Sequence, residues 1–112
     1  MRRFIDRLAD FRNEIKGAII EELKSANLNE FEFPQEDDRC DRIWQTCYNK
    51  NGEPDEAYVT KVELYGIGEL KIYAESDYGA YTTCTSCDFE AKRIDFLEDL
   101  YCNIKWHLDN KN

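Results

Sequence analysis

The chain has 112 residues and a net charge of −9, from 24 acidic against 15 basic side chains. That length suits one domain with one core, and 42% apolar content with fifteen aromatics excludes a wholly disordered chain. No apolar run nears the roughly 20 residues of a membrane span, and the acidity argues against ordinary nucleic-acid or anionic-lipid binding.

From about residue 3 to 25, apolar residues recur at Ile5, Leu8, Phe11, Ile15, Ile19 and Leu23, with Ala18 beside them. These steps of three and four describe one stripe of an amphipathic helix. Asn27 reads as its C-terminal cap, and Pro34 forbids continuation. Arg2, Arg3, Arg7 and Arg12 gain nothing from the helix dipole at that end and read as solubilising residues. The start, Met1 to Arg7, is too charged for an export leader.

An acidic connection occupies about 27–40. Phe31 and Phe33 share one side of it, which suits an edge strand ended by Pro34. Residues 27–60 carry three positive and nine negative charges, a balance of −6, so acidity concentrates here. Glu36, Asp37, Asp38 and Asp41 form its densest group. The sheet is expected over about 41–86. Its first strand, Asp41 to Asn49, has Ile43, Gln45 and Cys47 on one side and Trp44, Thr46 and Tyr48 on the other. The pattern leaves open which side is buried, with Trp44 a candidate for the core. Asn49 to Glu56 reads as a loop around an Asn-Gly turn.

Tyr58 to Ser76 holds the strongest pattern, two alternating runs about Gly66-Ile67-Gly68. Antiparallel pairing sets Leu64 against Leu70, Val62 against Ile72 and Thr60 against Ala74 on an oily face. The other face pairs Glu63 with Lys71, Lys61 with Tyr73 and Tyr65 with Glu69. A slip of one residue would ruin both faces, so the register is well specified. Ala80 to Ser86 makes a further strand after Asp77-Tyr78-Gly79. A three-residue turn would face Thr82 and Cys84 inward; a two-residue turn would face Tyr81 and Thr83 inward. Over about 88–108 the helical period returns through Ile94, Leu97, Leu100, Tyr101, Ile104 and Leu108. The fold class is α+β, in two layers. An antiparallel sheet of three or four strands carries the N- and C-terminal helices on one face. Double-stranded RNA-binding domains share that order, but they need basic phosphate contacts that this acidic chain lacks.

Five cysteines, an odd number without an export leader, point to reduced thiols and a cytoplasmic location. Cys84-Thr85-Ser86-Cys87 is the one local motif with mechanistic content, a dithiol between a strand and a helix. No parallel βαβ pattern precedes it, which argues against thioredoxin-like chemistry. Cys84 and Cys87 would make half a structural zinc site, with Cys40 and Cys47 the other half. Cys40 and Cys47 stand seven apart, however, and point to opposite faces of an extended strand. No cofactor is therefore expected, and zinc is the one to test for. His107, the sole histidine, is turned about 140° from Cys102 on the same helix, so no dyad forms. A calcium loop at Asn49 to Gly52 fails because Cys47 and Tyr58 fall where carboxylates are required.

Function is read as a non-enzymatic protein-binding module, an inhibitor, immunity-type protein or accessory factor, for a basic partner. The contact candidates are Glu36, Asp37, Asp38 and Asp41, the sheet tyrosines Tyr65 and Tyr73 with Tyr81 beside them, and Trp106. Trp106 would alternatively centre a homodimer contact. A nucleic-acid mimic and a small zinc- or thiol-dependent protein are the alternatives.

Overall fold

A computed structural model of the chain describes residues 4–34, 42–85 and 93–110. Its elements follow as α1 (Phe4–Ser25), β1 (Glu30–Glu32), β2 (Trp44–Tyr48), β3 (Pro54–Tyr65), β4 (Glu69–Ser76), β5 (Gly79–Cys84) and α2 (Arg93–Asp109). The sheet is antiparallel with five strands, one more than the upper expectation. The extra strand is the short segment at Phe31, which pairs with β3 through Phe31↔Val62.

The central hairpin takes the register set by its alternation: Leu64↔Leu70, Val62↔Ile72, Glu63↔Lys71, Lys61↔Tyr73 and Tyr65↔Glu69. Its three-residue turn needs positive φ at Gly66 (56°) and Gly68 (74°), a region glycine enters without the Cβ penalty that most residues meet. One expected pair is wrong. Ala74 lies opposite Val59 rather than Thr60, because a β-bulge interrupts the ladder between Val59 and Lys61. Before Thr60 the apolar positions are odd (Ala57, Val59); after it they are even (Val62, Leu64). One extra residue turns both sets toward the same face. The bulge also serves β1, since Phe33 donates its N–H to the Thr60 carbonyl at 2.9 Å.

β3 begins at Pro54, so the expected loop shortens to Asn49–Glu53. Asn49 holds that turn, its Oδ1 accepting from the amides of Asn51 (2.9 Å) and Glu53 (3.0 Å). The turn pairs β2 with the first half of β3, while β1 pairs with the second half. Gln45↔Ala57 and Cys47↔Asp55 bring Ile43, Gln45 and Cys47 inward with Ala57 and Val59. Trp44 therefore faces solvent and is not core. The last hairpin has the two-residue turn, with Ser76↔Gly79 and Ala74↔Tyr81, so Tyr81 faces inward rather than joining the polar tyrosines.

One cluster unites the layers: Ile19 and Leu23 of α1, Leu97, Leu100 and Ile104 of α2, and Val59, Val62, Leu70 and Ile72 of the sheet. Both helices thus cover the same face of the sheet. The buried stripe of α1 departs from expectation in its first half. Phe11 is exposed, whereas Arg12 and Lys16 are buried. Lys16 Nζ meets Glu69 Oε1 at 3.0 Å, and Thr85 Oγ1 donates to the other oxygen of that carboxylate. Burial would raise the Glu69 carboxyl, but Thr85 and Lys16 more than offset this and hold it below its ordinary range. Lysine reaches such a site by laying its aliphatic stem along apolar surface.

α1 ends in a paired cap. Asn27, at φ 59°, donates to Lys24 O at 3.0 Å, and Leu28 N–H reaches Leu23 O at 2.9 Å. This is the Schellman arrangement, with Leu28 packed on the core. Among the described residues no helix is long and apolar enough to cross a membrane.

Candidate functional site: the open face of the sheet

Since both helices occupy one face, every second strand residue is left on the other. β2 contributes Trp44, Thr46 and Tyr48; β3 contributes Glu56, Tyr58, Lys61, Glu63 and Tyr65; β4 contributes Lys71, Tyr73 and Glu75. Trp44 is 55% exposed, Tyr48 65% and Tyr65 45%. Soluble proteins seldom leave several large aromatics together on one surface, and Trp, Tyr and Arg dominate the energetic centres of protein contacts.

Trp44, Tyr58, Tyr65 and Tyr73 are held rather than loose. Trp44 and Tyr58, directly opposite across β2 and β3, meet edge to face with centroids 5.8 Å apart. Arg42 lies 4.1 Å over the Tyr58 ring, Lys61 4.5 Å over Tyr73 and Lys71 4.9 Å over Tyr65. Tyr73 donates its hydroxyl to Glu63 at 3.0 Å. Lys61 also contacts Glu30 at 2.8 Å, and that carboxylate holds its ammonium above the ordinary value. Ordering these side chains before a partner arrives lowers the entropy that binding must supply. A hollow of about 370 Å³ crosses the face beside the bulge, lined by Glu32, Thr60, Lys61, Tyr73, Glu75 and Thr82.

The cations of the face are engaged with its own rings and acids. Five glutamates (30, 32, 56, 63 and 75) stand against Arg42, Lys61 and Lys71, a balance of −2. The face therefore presents negative charge around its aromatic centre.

The structure brings Tyr65 and Tyr73 together here, as the hairpin pattern indicates. Trp44, Tyr48 and Tyr58 join them; the sequence did not nominate the first two because the facing of 41–49 was open, nor Tyr58 because an unbroken alternation through Thr60 and Val62 turns it to the oily face. The signal lay in the parity of Ala57 and Val59, once β2 is paired with them. Trp106 stands elsewhere, 60% exposed on α2 and packed edge-on to His107 at 5.0 Å. Glu36, Asp37, Asp38, Asp41, Cys40 and Cys87 lie outside the described residues. Cys47 is buried on the inner face and Cys84 stands in the position of the open face. Those two do not converge, and among the described residues no three His, Cys, Asp or Glu side chains are grouped to hold a metal ion.

At the far end of the inner face, Asp55 Oδ2 accepts from Ser76 Oγ and Tyr81 OH, each at 2.5 Å. Ser76 first and Tyr81 second hold the Asp55 carboxyl below its ordinary value. The same bond to Asp55 pushes the Tyr81 phenol up to about 12. A phenol held that firmly protonated at neutral pH serves as a donor, not as a base. Tyr81 packs over Ala57, Ala74 and Cys47, so the group ties β5 to β3 across the intervening strand.

Compared with known proteins, the chain matches no family model, no curated protein and no solved structure.

Proposed function

We propose that the chain is a protein-binding module that presents the open face of its sheet to a basic partner. The observation that carries this reading is that Trp44, Tyr48 and Tyr65 are all exposed on the helix-free face, with Trp44 held against Tyr58 and Tyr65 under Lys71. The negative balance of the face and the chain's net charge of −9 favour a positively charged partner and speed its encounter at low salt. The role would be that of an inhibitor, immunity-type protein or accessory factor, acting without covalent chemistry from within the cytoplasm.

The test compares capture from native lysate by the wild-type chain with capture by a Trp44→Ala/Tyr65→Ala variant. One basic protein retained at low salt, released at high salt and lost with the variant is the expected result. Equal capture by the variant, or loss with Trp106→Ala instead, would move the contact off this face.

A further inference from the structure

In an antiparallel ladder, residues bonded to one neighbour alternate with residues whose N–H and C=O point the other way. Val59 donates to the Ile43 carbonyl at 2.8 Å, and Asn49 to that of Glu53 at 3.0 Å. Residues 43, 45, 47 and 49 therefore spend their backbone groups on β3. Those of Trp44, Thr46 and Tyr48 point away from the sheet. On the last strand, Thr85 donates to the Leu70 carbonyl at 2.9 Å. With Ser76↔Gly79 and Ala74↔Tyr81 in register, the backbone groups of Ala80 and Thr82 point outward from β5.

These two edges face each other. Gln45, Thr46, Cys47 and Tyr48 line one side of a groove of about 290 Å³, and Tyr81, Thr82 and Thr83 line the other. Consecutive residues, not alternate ones, line it on both strands, which places the opening along the strand edges. Gln45 is buried beside it with Oε1 lacking a donor among the described residues. Exposed edges are ordinarily guarded by lysine, proline or a bulge. Neither β2 nor β5 has a charge or a proline, and neither ladder is bulged. Of the lining residues, Tyr81 donates to Asp55 and Thr46 to Glu56. Glu53, Glu75 and Asp77 adjoin these strands in sequence, and residues 51–57 and 73–84 contain no lysine or arginine, with Lys50 at the margin.

We infer that this groove accepts one extended, basic segment of a partner protein as an added strand between β2 and β5. Main-chain hydrogen bonds would supply the affinity and the acidic rim the charge preference. A second copy of the chain is the wrong occupant, because it brings the same rim and a further −9 of charge to the contact. The inference rests on the protein-binding reading for the sign of the partner's charge, but its contact is the strand edges, which share Thr46, Tyr48 and Thr82 with the aromatic face.

The test titrates the isotope-labelled full chain with a capped peptide of alternating lysine and valine. Controls are the same peptide with glutamate for lysine, and one with alternate amides N-methylated. The expected result is saturable shifts with exchange slowed about tenfold or more at the Ala80, Thr82, Thr46 and Tyr48 amides, a factor matching roughly one net hydrogen bond. Neither control should do this. Thr82→Pro removes an outward N–H without touching the β4 ladder, and should weaken the peptide about tenfold with the urea midpoint retained. If that variant fails to fold, the N-methylated peptide still separates the outcomes. No slowing, equal slowing by the glutamate peptide, or protection that grows with protein concentration alone would each overturn the inference. Shifts confined to Trp44, Tyr58 and Tyr65 would overturn it while leaving the aromatic face standing as the contact.

Discussion

Ile72→Ala tests the scaffold at its centre. Ile72 has 0% exposure, lies opposite Val62 on β3 and Thr83 on β5, and shares its cluster with Ile19, Leu23, Leu100 and Ile104 of the helices. Three carbons leave a site packed from both layers. At about 0.8 kcal/mol per buried methylene the transfer loss is roughly 2.4 kcal/mol. A cavity that cannot collapse between a sheet and two helices raises this to about 3–5 kcal/mol. Against a total of about 5–15 kcal/mol, that is a large share. In urea, with a slope near 2 kcal/mol/M, the midpoint should fall by roughly 1.5–2.5 M. Ile67→Ala is the matched control, five positions away in the same hairpin but 101% exposed, and it should cost less than about 0.5 kcal/mol. A loss below about 1 kcal/mol for Ile72→Ala, or equal losses for the two, would refute the shared core.

Two further outcomes follow from named contacts. In an alkaline absorbance titration one tyrosine should ionise at about 12, and Tyr81→Phe should abolish that phase. The bond's contribution to stability is complete below the phenol's ordinary 10.0 and is lost as pH rises toward about 12. Its partner acts in the opposite sense: Asp55 contributes above its ordinary 3.8, and that stability disappears as acid protonates it below this value. At the end of α1, Asn27→Gly should be neutral within about 0.5 kcal/mol, whereas Asn27→Val should cost roughly 1–2 kcal/mol because φ 59° opposes a branched side chain. Equal stability of the two variants by urea melts would exclude the left-handed cap.

Much of this fold is legible in the sequence, for reasons that differ by element. The central hairpin is readable because alternation and cross-strand charge agree on one register. The bulge was legible in principle, since apolar parity flips at Thr60, but a single uninterrupted alternation from Tyr58 conceals it. β2 was not readable alone. Trp44 and Tyr48 are its largest apolar residues, yet pairing with Ala57 and Asp55 turns Gln45 and Cys47 inward, a tertiary constraint that overrides local pattern. The same holds for Lys16, whose burial depends on Glu69, 53 positions away. Two of the five aromatics of the candidate face, Tyr65 and Tyr73, came from the hairpin; Trp44 and Tyr48 required the β2 pairing and Tyr58 the bulge.

Oxidative footprinting of the chain, free and in its captured complex, addresses the function most directly. The aromatic side chains report on themselves, and Trp106, exposed on the helical layer, is the internal reference. Protection of Trp44, Tyr48 and Tyr65 in the complex, with Trp106 unchanged, is the expected outcome. Protection confined to Trp106 and the helices, with the sheet aromatics oxidised as in the free chain, would contradict it.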